Sequence, residues 1–189
     1  MFSVRCFLAV RLPEDVKRAL IGAQERIEKG APGFYSWTKE GSMHLTLYFL
    51  GNMEEEPLGQ TKDALGGLKG EPFSLRVEGL VRLPEPTSPR VLAGGIKGDV
   101  EKLARFQQRL SDTVFHSAAF KEMRSYYPHV TIGRLRRGMP GNAKAVKRTL
   151  AATEIEPTAM FEITEYLLIR SNPGKEGSRY ETLETYSLG

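Results

Sequence analysis

A chain of 189 residues, 40% apolar and 26% charged, has a globular composition and the length of one domain, or of two small lobes sharing a core. Its single cysteine, Cys6, excludes an intramolecular disulfide and a cysteine-cluster metal site, and no apolar run approaches the roughly 18 residues of a membrane span. A net charge of +4 and a pI of about 9.2 permit an anionic partner without requiring one; Arg5 and Arg11 make the first apolar segment a poor signal peptide, so the expectation is a soluble, cytoplasmic protein.

The 19 glycines and 11 prolines point to many turns, and so to many strands. Residues 2–11 alternate, with Val4, Cys6, Leu8 and Val10 on one face and Arg5, Phe7, Ala9 and Arg11 on the other, which predicts a strand. Pro13-Glu14-Asp15 opens a helix with an apolar stripe of Val16, Leu20, Ala23 and Ile27. A strand is predicted within 37–51, then a helix with Pro57 early and Leu58, Thr61, Leu65 and Leu68 on one side. Residues 73–83 and 91–96 read as strands around a proline-rich loop. Asp99 is a plausible cap for a helix whose face is Val100, Leu103, Phe106, Leu110 and Val114. Residues 117–126 read as an irregular connection, 128 onward as a strand, and Asn142 as the cap of a helix with Ala143, Val146 and Leu150 inward. Residues 161–170 and 180–188 complete the pattern as closing strands around a Pro173-Gly174 turn.

One tetrapeptide pattern occurs twice: His44-Leu45-Thr46-Leu47 and His129-Val130-Thr131-Ile132. Side chains two apart on a strand share a face, so each copy shows an imidazole and a hydroxyl outward over an apolar back. The third histidine, His116, is followed by Ala118 and does not share the pattern. The two halves echo each other in the order of their elements, although their identity is too weak to make a sequence repeat. That order predicts an α+β fold: two pseudo-symmetric lobes around a central cleft, each an antiparallel sheet with helices packed outside, and one motif per lobe. The whole of 1–189 is expected to be a single bilobed domain.

Two imidazoles facing one cleft can serve as base and acid in a single step, because an ordinary histidine pKa near 6.5 suits either role. Two threonine hydroxyls can hold the non-bridging oxygens of one phosphate. This pairing suits phosphodiester cleavage, where a nucleophile loses a proton and a leaving group gains one. Two histidines without a nearby acid are a poor metal ligand set, so no metal and no cofactor are expected. Packed strand residues are the alternative reading of all four side chains.

On these motifs the chain resembles the 2H phosphoesterase superfamily, and more closely the RNA 2′,3′-cyclic phosphodiesterases once called 2′-5′ RNA ligases. The resemblance covers nearly the whole chain: residues 7–10 with Leu12-Pro13, 44–51 (HLTLYFLG), 90–92, 128–134 (PHVTIGR), and 167–171 with Tyr180 and 186–188. It implies His44 as general acid, His129 as general base, Thr46 and Thr131 as phosphate-binding residues, and Arg134 near the substrate. Its implied substrate is RNA with a 2′,3′-cyclic phosphate end or a related nucleotide, opened to a 2′-phosphate; from the sequence itself no membrane association is expected and no obligatory protein partner is evident. Related alternatives are 2′-5′ RNA ligation, another cyclic or 2′-linked nucleotide phosphodiesterase, and a non-catalytic RNA-binding module. No glycine-rich phosphate loop with Lys and Ser/Thr is present, which argues against an ATP-driven ligase. Strand parity puts Arg134 on the Val130/Ile132 side unless the chain bulges at Gly133, and puts Phe49 with Leu45 and Leu47 as packing at the cleft floor. Tyr127 and Tyr180 are candidates for base stacking. Residues 123–153 carry seven basic side chains and no acidic one, readable either as an RNA backbone contact or as a solvated face.

Overall fold

The computed structural model describes residues 3–117, 126–174 and 178–189. Its strands are β1 (Val4–Arg11), β2 (Tyr35–Trp37), β3 (His44–Met53), β4 (Phe73–Leu83), β5 (Val91–Gly98), β6 (His129–Leu135), β7 (Phe161–Ile163), β8 (Glu165–Asn172) and β9 (Arg179–Ser187). Its α-helices are α1 (Glu14–Gly30), α2 (Glu55–Gly66), α3 (Val100–Ser117) and α4 (Lys144–Ala151). The strands form two antiparallel sheets, ordered β3-β1-β8-β9 and β2-β6-β5-β4-β7. This is the two-lobed α+β architecture that the order of elements predicts.

The alternation in β1 divides its side chains as expected. Cys6, Leu8 and Val10 enter the large core, while Phe7 and Ala9 join Leu167 and Ile169 in a small apolar cluster on the other face. In α1, Val16, Leu20, Ala23 and Ile27 are all buried, and Glu14 and Asp15 at its start and Lys29 at its end suit the helix dipole. In α3, Leu103, Phe106, Leu110 and Val114 are buried, while Val100 in the first turn is exposed. The helices lie outside the sheets: α1 against β6 and α4, α3 against β3 and β4, and α2 against α3 and β9.

The strand expected within 37–51 is β3, which begins at His44; ahead of it Trp37 ends β2 in the second sheet, and a 3-10 turn at Glu40–Ser42 carries the chain to the first. Two other segments differ from the sequence reading. The segment 161–170 breaks at Thr164: Phe161 pairs with Leu75 in one sheet, and Leu167 pairs with Ala9 in the other. Asn142 does not cap α4; Ala143 holds that position without a side-chain hydrogen bond. Most of the expected connection over 117–126 lies outside the described residues, as does the end of the turn after Pro173-Gly174.

The lobes are not the two halves of the sequence. From β1 the chain enters α1 on the opposite sheet, returns at β3, leaves again for β4 and β5, and sends α3 back over β3. β8 and β9 finally close the first sheet around β1. An internal two-fold relates β1 and β3 to β5 and β6. Leu8-Ala9 recurs as Leu92-Ala93 and Asp15-Val16 as Asp99-Val100, both displaced by 84 residues (92 − 8 and 99 − 15). Ala9 pairs with Thr46, and Ala93 pairs with Thr131. The two sheets meet along β3 and β6, so both motifs face one cleft.

Candidate active site

Each motif strand carries a bulge at the same place. In the first sheet Leu8 pairs with Tyr48 and Ala9 with Thr46, which leaves Leu47 extra. In the second, Leu92 pairs with Gly133 and Ala93 with Thr131, which leaves Ile132 extra. An extra residue shifts the phase of alternation by one. Leu47 and Tyr48 are therefore both buried, and so are Ile132 and Gly133. The residue five beyond each histidine then emerges on the histidine's face. Arg134 is exposed and lines the cleft with His129 and Thr131. Phe49 is 65% exposed and lines it with His44 and Thr46. Phe49 is thus part of the cleft wall and not buried packing; unbroken parity misplaced it.

The cleft has a volume of about 620 Å³. It brings together the two histidines, the two motif threonines and the arginine expected near the substrate: His44, Thr46, His129, Thr131 and Arg134. Arg5, Phe7, Thr38, Ser42, Ser171, Ser178 and Tyr180 add to its wall. Two arginines and several hydroxyls with no carboxylate among the lining residues make a site for an anion. Among the described residues no group of three or more His, Cys, Asp or Glu is placed to hold a metal ion.

The two rings are fixed in the same way. His44 Nδ1 lies 2.8 Å from the Ser42 carbonyl, and His129 Nδ1 lies 2.8 Å from the Tyr127 carbonyl. A carbonyl only accepts, so each Nδ1 carries a hydrogen and Nε2 is the atom left to gain and lose a proton. Their surroundings differ. The His44 ring stacks on Phe7 at 4.7 Å and meets the edge of Tyr180 at 5.2 Å. Burial there pushes the His44 pKa below its ordinary value; the bond to Ser42 acts against the shift, and the nearby His129 adds to it. Tyr180 thus forms part of the cleft wall, whereas Tyr127 is exposed beside His129, 6.2 Å between ring centroids, and is not among the lining residues.

Two buried glutamines reach the bulges. Gln24 of α1 donates from Nε2 to the carbonyls of Ile132 (2.8 Å) and Thr38 (2.9 Å). Gln107 of α3 donates to the carbonyl of Leu47 at 3.4 Å, a longer contact. Each glutamine therefore touches the extra residue of one motif strand, and Gln24 also joins that bulge to the Thr38 lip of the cleft. The signal for them was present in the sequence. Both helices read Leu-x-x-x-Gln-x-Arg followed by Ile or Leu, at 20–27 and 103–110. That spacing puts a polar side chain on the apolar stripe, where it needs a buried partner. Tyr126, whose phenol donates to the Thr46 carbonyl at 3.2 Å, ties the approach to β6 onto β3. Gly133 lets Trp37 lie across β6, since a Cβ there would come 2.7 Å from the indole. Of the basic run, Arg124 lies outside the described residues, and Arg134 is the member that lines the cleft.

A family described as LigT like phosphoesterase matches residues 10–93 and 96–180. An RNA 2′,3′-cyclic phosphodiesterase of Geobacillus stearothermophilus is 28% identical over 96% of this chain, and the match spans 56% of that longer relative. One from Thermus thermophilus is 30% identical over 98% of this chain and 90% of its own length. Among solved structures, TT0787 of Thermus thermophilus superposes with a TM-score of 0.77 at 26% identity, covering 97% of both chains.

The reciprocal placement of the glutamines predicts separable effects. Gln24→Leu removes a buried donor from the Thr38 carbonyl and should cost about 1–3 kcal/mol in urea unfolding. It should shift the NMR ring resonances of His129 more than those of His44, and Gln107→Leu should do the reverse. Equal perturbation of both rings by each variant would show that the glutamines do not set the strands individually. Separately, NMR titration of His44 should give a midpoint below 6.5 that rises toward 6.5 in Phe7→Ala, because the smaller side chain admits water to the ring. An unchanged midpoint in that variant would remove Phe7 as a source of the desolvation.

Proposed function

Because the chain belongs to the LigT-like phosphoesterase family, we propose that it hydrolyses the 2′,3′-cyclic phosphate at the end of an RNA strand, leaving a 2′-phosphate and a free 3′-hydroxyl. The observation that carries this reading is the convergence of two backbone-fixed imidazoles, two threonines and an arginine on one cleft without a carboxylate. The RNA substrate comes from the activity for which the curated relatives are named. The interleaved lobes act as one bilobed domain, since neither sheet is built from a continuous stretch of chain.

His129 Nε2 takes a proton from water as the water oxygen bonds to phosphorus. The bond from phosphorus to the 3′ oxygen breaks, and His44 Nε2 gives its proton to that oxygen. One water is consumed, and solvent exchange restores the two rings to their starting states. Thr46 and Thr131 donate hydrogen bonds to the non-bridging oxygens, while Arg134 supports the charge that builds on them. Burial weakens the hold of His44 on its proton, which suits a group that must release it to an alkoxide. The phosphate anion in the cleft favours the imidazolium and offsets that burial. Two imidazoles supply both proton movements, so the proposed reaction needs no metal.

If Thr46 and Thr131 are transition-state donors, Thr46→Val and Thr131→Val should each slow turnover by about 10²–10³-fold while the fold is kept. Wild-type rates in folded variants would reduce both to strand formers. The division of labour between the histidines is tested by replacing the departing 3′ oxygen with sulfur, which leaves without a proton. His44→Ala, about 10²–10⁴-fold slow on the natural substrate, should recover much of its rate on the sulfur substrate, and His129→Ala should not. Recovery of His129→Ala instead would reverse the assignment. Failure of the wild-type protein to open any cyclic phosphate would reject the reading altogether.

A further inference from the structure

A 2′,3′-cyclic phosphate closes the 3′ end of its strand, so every other nucleotide lies on the 5′ side and must leave the cleft by one exit. Three segments lead from the cleft into a second, open groove of about 650 Å³. Leu83, Val91 and Arg134 line the cleft, and their chain neighbours Pro84, Arg90 and Leu135 line the groove. One residue of strand advances about 3.3 Å, so the two cavities border each other at the ends of β4, β5 and β6.

The groove is suited to phosphate. Arg90, Arg136 and Arg137 line it against a single acid, Glu85. All three arginines are exposed, and among the described residues none is ion-paired. Arg136 is held in place by its Nε, which donates to the Tyr35 carbonyl at 3.1 Å, leaving the outer nitrogens of its guanidinium for a ligand. No aromatic side chain lines the groove, so it lacks the stacking surface that reads bases in single strands. On the reading of the cleft given above, we propose that this groove binds the sugar–phosphate backbone of the nucleotides 5′ to the cyclic phosphate, and so makes an RNA strand a better substrate than a cyclic mononucleotide.

The test compares adenosine 2′,3′-cyclic phosphate with a tetranucleotide ending in the same group, using the wild-type protein and an Arg90→Ala/Arg137→Ala variant. Wild type should show a kcat/KM at least about tenfold higher for the tetranucleotide, and the variant should lose most of that preference through KM. The slope of log affinity against log salt for the tetranucleotide should shrink by about 1.4, or about 0.7 for each phosphate that the variant no longer neutralises. Equal efficiency on the two substrates in wild type, or an undiminished preference in the variant, would overturn the proposal while leaving the cleft chemistry intact. If neither substrate is turned over, the reading of the cleft fails on its own. Fluorescence anisotropy with a labelled tetranucleotide ending in a 2′-phosphate then decides for the groove: weaker binding by the variant, and weaker still by Arg137→Glu, supports it, and unchanged binding rejects it.

Discussion

A β-strand offers its side chains to two faces in strict alternation, yet each motif strand gives the cleft residues at i, i+2 and i+5. The first two positions agree in parity and the third does not. A one-residue bulge resolves the conflict, and it falls at Leu47 in β3 and Ile132 in β6. Without those bulges, Arg134 and Phe49 would point into the core, where an unpaired guanidinium costs several kcal/mol. A bulge leaves polar backbone outside the ladder, and here the deficit is met from behind by Gln24 and Gln107. The cleft therefore depends on two buried amides that do not line it.

The internal two-fold gives matching frames and unlike contents. Both histidines bond through Nδ1 to the carbonyl two residues earlier, and both threonines face an alanine on the neighbouring strand. At i+5, however, one frame presents an aromatic ring and the other a cation. Around His44 stand Phe7, Phe49 and Tyr180; beside His129 stand the exposed Tyr127 and Arg134. The geometry is equal and the surroundings are not, and the burial on one side is what pushes the His44 pKa below its ordinary value. The contents of the two frames, not their backbone, are where the symmetry of the fold is broken.

The motifs were legible in the sequence because they obey simple alternation, and the α+β class followed from the order of strands and helices. Gly133 beside Arg134 signals an irregularity that brings that side chain to the cleft, whereas Phe49 has no adjacent glycine, and simple alternation places it in the core. The split of 161–170 at Thr164 was hidden because both pieces are apolar and extended, and composition does not say which sheet a strand joins. Gln24 and Gln107 carry only a weak signal in the sequence, since a polar residue on a helix stripe gains meaning only when its partner is known. The bulge carbonyls they meet, of Ile132 and Leu47, lie 108 and 60 residues away in the chain. The groove of Arg90, Arg136 and Arg137 joins residues from two strand ends, and the charge run alone contained only part of it.

The pairing of β1 with β8 also bears on how the protein is made. Leu8 lies opposite Leu168, and β1 sits between β3 and β8 inside its sheet. A ribosome releases residues in order at about 5–20 per second, so β1 spends on the order of ten seconds with one of its two edges unpaired. During that interval Phe7 and Ala9 have neither Leu167 nor Ile169 to cover them. A nascent chain in that condition exposes both an apolar face and a free strand edge, the two features that recruit chaperones or invite aggregation. Arg5 and Arg11, at either end of that strand, place a positive charge at each margin of the exposed segment. Residues that border the finished cleft and sheet would thus also act as gatekeepers during synthesis.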